Sequence, residues 1–333
     1  MKWRVQKFPG AGVRFLARFV PTPPYPSCAP RALAIGAMGA HGGEPPPIPF
    51  TVEQLVGEIS SERAATAQQA CAAFAQLATR APIPASFRGA VPAVLSVVER
   101  RDEHGFDVAA RESAVAALVA LCACVEGAAE DAVANGAVAK LLAAAAVEAD
   151  RRLDLNALEC LRVLATARAA SAALVADDAA MDAAFAFVAE RAVPGSGPDP
   201  NLTRADPVAA AALDLLCGLA SKRSDEGAAR RAVVERGAVG VLAKALAATR
   251  DDEVAVRALL GLAMTTNEGA QQAELAATPG AAAATLRFAK STDRDVAEVA
   301  KRMWARLGSN ADLKPTLAAA LRESVAETRV EEA

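Results

Sequence analysis

The side chains best suited to chemistry in this chain are six cysteines and two histidines. Zinc sites need several such ligands at short spacings. Only Cys122 and Cys124 are close in sequence, and a separation of two places them on different faces of a helix. His41 and His104 leave little capacity for general-base catalysis near neutral pH. We therefore expect buried, reduced cysteines and no metal or cofactor.

Loops that activate a nucleophile or hold a phosphate have recognisable sequences. The chain contains no Walker loop, no HExxH pair and no nucleophile elbow. Gly195-Ser196-Gly197 comes nearest to a phosphate-binding loop, but it lies among prolines and does not open a helix. The sequence therefore predicts that the protein is not an enzyme.

The charge of the chain argues against nucleic acid as a partner. The formal net charge is −3, and residues 1–43 hold six cations and no acid, so the remainder is acidic overall. With 4% aromatic residues the chain also lacks a platform on which bases stack. The uncharged stretch 64–79 is too short and too polar to cross a bilayer. We expect neither nucleic-acid binding nor a membrane span.

Residues 1–50 differ from the rest of the chain. They are rich in proline, which breaks long helices, and residues 1–43 are basic. A basic, acid-free leader with one short amphipathic piece resembles an organelle transit peptide, and a disordered tail is the alternative. We expect a cytoplasmic protein, or a mitochondrial or plastid one if residues 1–43 act as a transit peptide.

A helical pattern begins at Thr51, which forms a capping-box pair with Gln54. Each later unit has an apolar helix, a charged break and a second Ala/Leu-rich helix. A short phrase opens the units, as Arg88-Gly89-Ala90-Val91, Asn135-Gly136-Ala137-Val138, Arg236-Gly237-Ala238-Val239 and, weaker, Pro279-Gly280-Ala281-Ala282. Its glycines lie 47, 101 and 43 residues apart. Intervals in the forties are typical of stacked helical repeats.

The long interval contains a further unit without the glycine. Asp178-Ala179-Ala180-Met181 stands where the phrase is expected. The extra length falls in residues 193–207, which are rich in proline and glycine and predict an inserted loop. The sequence thus predicts a half-repeat and about five repeats over residues 51–310. A capping helix and a frayed acidic tail would follow in 311–333.

The repeated units resemble the armadillo repeat, in which a glycine turn separates two short helices and a charged turn precedes a long third helix. The fourth unit shows this best, with Arg236-Gly237-Ala238-Val239, then Asp251-Asp252, then the helix around Leu259. The resemblance implies an all-α, right-handed α-solenoid of three-helix repeats. The related HEAT repeat is the alternative for the weaker units.

Armadillo proteins bind partners along a concave groove lined by the third helices, so the resemblance implies a groove here. Its peptide-binding members carry a recurring tryptophan and asparagine on that helix. The tryptophan places hold Ala72, Val119, Glu159, Asp214, Arg257 and Arg302, and the asparagine places hold Gln76, Ala123, Val163, Gly218, Gly261 and Arg306. The ladder is therefore missing, which argues against a nuclear-import type of grip on basic peptides.

The polar residues at these places form the candidate protein-binding surface, namely Gln76, Glu159, Asp214, Arg257, Arg302 and Arg306. We expect this surface to be acidic near Glu159 and Asp214 and basic near Arg257, Lys301, Arg302 and Arg306. The alternative is an ordinary solvated helix face.

A repeat array without catalytic motifs predicts a non-catalytic scaffold or adaptor, acting as a monomer, that binds another protein. Two alternatives remain open. One is a chaperone-associated protein similar to the armadillo nucleotide-exchange factors of heat-shock chaperones. The other is an RNA-binding solenoid.

Overall fold

The computed structural model describes residues 51–79, 82–100, 108–147, 151–193, 206–221 and 227–331. All regular secondary structure in these ranges is helical, which confirms the all-α prediction. The basic leader and residues 194–205 of the predicted inserted loop lie outside them, so the predicted domain boundaries stay predictions.

Seventeen α-helices lie in this part of the chain. In order they are α1 (Val52–Ile59), α2 (Ala64–Ala78), α3 (Val91–Glu99), α4 (Val108–Cys124), α5 (Ala128–Ala134), α6 (Ala137–Val147), α7 (Arg151–Thr166), α8 (Arg168–Ala176), α9 (Asp178–Arg191), α10 (Pro207–Ala220), α11 (Ala228–Glu235), α12 (Ala238–Ala248), α13 (Asp252–Thr265), α14 (Gly269–Ala277), α15 (Ala281–Phe288), α16 (Arg294–Gly308) and α17 (Lys314–Glu331). Short 3₁₀ helices at Ala85–Ala90 and Ala311–Leu313 precede α3 and α17.

The helices stack as rows of equivalent elements. The long third helices α2, α4, α7, α10, α13 and α16 each pack against the next. Among the second helices, α3 packs on α6, α6 on α9, and α12 on α15. Among the first helices, α5 packs on α8 and α8 on α11. Contacts between equivalent helices of successive units are the arrangement of an α-solenoid of three-helix repeats, as the resemblance to the armadillo repeat implies.

Alanine sets the approach of the third helices. Each carries a buried alanine at the same place in the repeat: Ala70, Ala117, Ala157, Ala212, Ala255 and Ala300. Because an alanine side chain is small, two helices that meet at an alanine can bring their axes close together. This alanine row runs from α2 to α16.

The turn between first and second helices depends on a left-handed residue in three units. Gly136, Gly237 and Gly280 have φ of 74°, 90° and 74°, as the glycine phrase predicts. Gly89 does not adopt a positive φ, so the prediction of the same turn in the first copy is wrong. There the first helix is replaced by the 3₁₀ helix, whose last residue Ala90 is already right-handed and leads directly into α3.

The third unit makes its turn without glycine. Asp177 is extended, with φ of −101° and ψ of 92°, and its carboxylate accepts a hydrogen bond from the Ala180 N–H. The side chain thus satisfies a free amide at the start of α9 and supports the change of direction. An aspartate cap replaces the glycine turn at this place.

We expect Gly237→Val to lower the free energy of unfolding by about 1–2 kcal/mol, because valine is strained at a φ of 90°. No atom lies within 4 Å of the position that a Cβ would take, so the cost comes from the backbone alone. Chemical denaturation measures the change. Gly237→Asn is the matched control and should cost less, since asparagine tolerates this conformation. Equal stability of the valine variant and the parent would contradict the assignment of a left-handed turn at Gly237.

Side chains cap the first helix of the array and the last three third helices, α10, α13 and α16. Thr51 and Gln54 form both hydrogen bonds of the predicted capping box at α1. Asp206, Asp251 and Asp293 accept hydrogen bonds from backbone N–H groups at the starts of α10, α13 and α16. The three aspartates also place negative charge at the positive ends of α10, α13 and α16, which helps to fix where these helices begin.

At the C-terminal end α17 packs chiefly on α15 of the second-helix row. Its first turns are anchored by the buried side chains Leu317 and Ala320. In the described ranges no helix combines the length and the apolar character that crossing a bilayer requires.

Candidate functional site

The outward sides of the third helices form the candidate site, which we call the groove face. All six predicted site residues lie on third helices: Gln76 on α2, Glu159 on α7, Asp214 on α10, Arg257 on α13, and Arg302 and Arg306 on α16. Because α7, α10 and α13 pack in sequence, their polar residues are brought together. Gln76 is exposed on α2 and stands apart from them.

Asp214 and Arg257 bind each other across neighbouring repeats. Arg257 Nε donates to Asp214 Oδ1 at 2.9 Å. The same guanidinium pairs with Glu253 Oε1 at 3.1 Å and donates to the Glu253 carbonyl oxygen at 2.8 Å. The arginine side chain is 18% exposed, so its charge is largely held between the two helices.

Glu159 is neutralised by an arginine that the sequence analysis did not single out. Arg162 donates to both carboxylate oxygens of Glu159, at 2.6 and 2.8 Å. Arg162 also acts electrostatically on Asp214, so charges of alternating sign run from α7 through α10 to α13. Glu159 and Arg162 are three residues apart on one helix, a spacing that could have predicted this ion pair. The predicted acidic stretch thus contains its own counter-charges.

Asp214 ionises less readily than an ordinary aspartate. Burial raises its pKa, and this outweighs the lowering by Arg257 and Arg162; Glu159 raises it slightly further. Since the folded pKa lies above the unfolded one, the carboxylate is a source of instability when ionised at neutral pH. That instability disappears as the pH falls below the ordinary value near 3.8.

We therefore expect Asp214→Asn to be as stable as the parent at pH 7 or more stable, by no more than about 1 kcal/mol, because the side chain is partly exposed. The difference should shrink on acidification, as urea denaturation over a pH series would show. Asp131→Asn is the opposite control, since Arg88 lowers the pKa of Asp131. That variant should be the less stable one at pH 7, and its deficit should close only below about 3.8. A parallel response of both variants would contradict this assignment.

The two arginines of α16 serve different purposes. Arg306 Nη1 donates to the carbonyl oxygens of Ala263 and Thr266, at 2.9 and 3.5 Å, and so caps the end of α13. Arg302 pairs with Glu298 one turn away on the same helix, and its side chain is 69% exposed. Arg306 therefore joins two repeats, whereas Arg302 faces solvent.

The places that hold asparagine in peptide-binding armadillo proteins differ here in exposure. Val163 and Gly261 are buried, and a Cβ on Gly261 would lie 2.7 Å from Leu242 Cδ2. Gly218 is partly exposed, with no atom within 4 Å of its Cβ position. The position of a residue within the repeat therefore does not distinguish groove residues from buried residues in every repeat. It also overlooked Leu260 and Met264, which are partly exposed on α13.

The cysteines are mostly interior residues. Burial raises the pKa of Cys71 and of Cys217 to about 12, which disfavours the reactive thiolate. A hydrogen bond with the Cys122 side chain raises the pKa of Cys160, and burial raises it further. Cys124, the last residue of α4, is exposed, which corrects the prediction that the cysteines are buried. Cys28 lies outside the described residues. Within the described ranges, no cluster of three His, Cys, Asp or Glu side chains is placed to hold a metal.

Solved structures of repeat proteins are similar to this chain. No protein-family model and no curated protein matches it. A computationally designed armadillo repeat protein for modular peptide recognition matches with a TM-score of 0.59 and 17% identity, over 77% of this chain and 99% of that one. A designed armadillo repeat protein in complex with the peptide (KR)4 matches with a TM-score of 0.58 and 15% identity, over 78% and 100%.

An engineered protein matches with a TM-score of 0.58 and 22% identity, over 78% of this chain and 96% of that one. Identities this low describe shape rather than shared activity. Together with the three rows of stacked helices and the left-handed glycine turns, they show that this chain has the armadillo-type repeat fold.

Proposed function

We propose that this chain is a non-catalytic scaffold that binds another protein along the concave groove of its solenoid. The observation that carries the proposal is the continuous row of third helices from α2 to α16, which presents side chains of successive repeats on one surface. Similar designed proteins are described as binding or recognising peptides, which supports this use of the surface.

A protein partner fits the groove better than a nucleic acid does. Three arginines of the groove face, Arg162, Arg257 and Arg302, each have a carboxylate partner within the chain. Phosphate binding needs cations whose counter-ions are released on association. Arginines that already hold carboxylates offer little of that gain, whereas mixed polar and apolar surface suits a polypeptide.

Site-specific crosslinking tests the proposal. A photoreactive residue at Gln76 or Arg302, both exposed on third helices, should capture a partner from a lysate of the source cells. The matched control is the same residue at Lys244, exposed on the second helix α12. Capture of the same partner with equal yield at Lys244 would show that binding does not use the groove.

The state and location of the chain are part of the proposal. We propose a monomer in the cytoplasm, with organelle import as the alternative if residues 1–43 act as a transit peptide. Light scattering on the purified protein checks the first point. Imaging of a tagged chain with and without residues 1–43 checks the second.

A further inference from the structure

The last unit of the array is incomplete. The 3₁₀ helix Ala311–Leu313 stands in the place of a first helix, and α17 continues the second-helix row by packing on α15. In complete units the second helix packs on a third helix of its own unit, as α3 does on α4 and α15 on α16. Within the described residues no third helix follows α17, so the side of α16 that would contact it is left uncovered.

The burial of equivalent residues shows the same opening. Leu321 of α17 is 45% exposed, the one large apolar side chain in the described ranges that is classed as exposed. When α17 is aligned on its buried residues Leu317 and Ala320, earlier second helices have covered residues at the place of Leu321: Val98, Ala145, Val188 and Leu246, with Ala289 half-buried. Trp304 of α16 is partly exposed, whereas earlier third helices have buried residues at its place: Phe74, Leu121, Leu161, Leu216 and Leu259.

Two lysines border this opening where complete units have apolar residues. Lys314 is the first residue of α17, and Lys301 lies on α16. The corresponding residues of earlier units are buried: Val91, Val138, Met181, Val239 and Ala282 for Lys314, and Cys71, Leu118, Leu158 and Leu213 for Lys301, together with the half-buried Val256. Lys301 therefore lies off the groove face, contrary to the sequence prediction. Both lysines are exposed, and neither forms an ion pair with a described residue, Asp312 included.

A polar cap is the ordinary way to close the end of a repeat array, and lysines alone would serve that purpose. Here they stand beside Leu321 and Trp304, which a complete cap would cover. Ala305 and Gly308 are also exposed on α16. Small side chains of this kind allow a helix to approach closely, as the alanine row does inside the array. The combination matches a helix whose apolar face is bordered by carboxylates.

We propose that the opening between α16 and α17 binds an amphipathic helix of a partner protein, which takes the place of the missing third helix. We call this opening the end site, formed by Lys301, Trp304, Lys314 and Leu321. The apolar face of the bound helix contacts the tryptophan and the leucine. Acidic side chains on both borders of that face meet the two lysines. The end site is separate from the groove face and does not depend on the proposed function.

A second copy of this chain does not fit the end site. Two copies meeting end to end would bring the lysines of one against those of the other, and like charges in contact oppose association. In a head-to-tail arrangement, α2 of the second copy would take the open place. However, α1 packs on both α2 and α3 at the start of the second-helix row, so it would need the place that α17 already fills.

Two model helices of three heptads test the proposal: (LAALEAE)3 has glutamates on both borders of its apolar face, and (LAALKAK)3 has lysines there. Each carries fluorescein and is titrated with the full chain in fluorescence anisotropy at low salt. Two exposed ion pairs together correspond to about tenfold in affinity, so the glutamate helix should bind about tenfold tighter than the lysine helix. Lys301→Glu/Lys314→Glu should invert this ranking. Lys244→Glu/Arg250→Glu makes the same change in net charge at exposed positions away from α16 and α17 and should preserve it.

Trp304 reports whether the helix binds at the end site. In the Trp3→Phe variant it is the only tryptophan, and unlabelled (LAALEAE)3 should shift its emission to the blue as the ring is covered. The proposal is overturned if neither helix binds, if the emission of Trp304 does not respond to binding, or if the two double variants behave alike. Light scattering that shows a dimer of the parent, abolished by Lys301→Glu/Lys314→Glu, would assign the end site to a second copy and also overturn it. Circular dichroism confirms that each variant remains folded.

Discussion

Phe74→Ala should lower the free energy of unfolding by about 3–5 kcal/mol, the largest effect that we expect from a single change. Phe74 is fully buried on α2 and stacks on Phe87, with ring centroids 5.6 Å apart. Removing the ring takes away its apolar contacts and leaves a cavity between the first α-helices and the 3₁₀ helix that precedes α3. Urea denaturation followed by circular dichroism measures the loss.

Phe74→Leu is the matched control, because it retains most of the apolar volume and should cost less than about 1.5 kcal/mol. The loss of local stability should be confined to the N-terminal helices, since each repeat contacts only its neighbours. Hydrogen exchange should therefore speed up in α2 and α4 and change little in α13 and α16. Uniform acceleration along the chain would contradict a nearest-neighbour array.

The second large effect is expected at Gly261→Val, which should cost about 1–3 kcal/mol through overpacking. A Cβ there would lie 2.7 Å from Leu242 Cδ2 and 3.3 Å from Cys217 Sγ, both belonging to helices packed on α13. The added methyl groups must displace Leu242 of α12 and crowd Cys217 of α10, so these helices have to repack around α13.

Gly218→Ala is the control for Gly261→Val, because it changes a glycine in the same row of helices at a site with open space. Alanine is the better helix former, so this variant should gain about 0.5–1 kcal/mol. Thermal melting of the two variants beside the parent provides the comparison. Destabilisation by both changes, to the same degree, would show that the close packing at Gly261 is not the cause.

The repeat period predicted the architecture because it reports a property that every unit shares. The same glycine phrase did not predict the turn at Gly89, where the four residues Arg-Gly-Ala-Val are identical to those at Gly237 but span the end of a 3₁₀ helix. A four-residue phrase does not include the tertiary contacts that choose between these turns. Asp177 shows the reverse case, in which a side-chain cap performs the turn without the expected residue.

The candidate site was predictable in position but not in its pairings. The helical register placed Glu159, Asp214 and Arg257 on successive third helices, because the register follows from the repeat alone. The partners of long side chains depend on the distance between those helices, which a sequence does not state. From the sequence alone, Arg306 was therefore interpreted as a cation of the groove, although it caps the carbonyl end of α13.

The alanine row described above has a consequence for the sequence of any partner. Helices that meet through small side chains lie at the close end of the usual range, with axes about 8 Å apart. An extended chain advances about 3.4 Å per residue, so a peptide crossing the helices passes one repeat for every two to three residues. A binding segment should therefore show a period of two to three in its contacting residues. The alanine row thus determines the spacing of the contacting residues in the partner's binding segment.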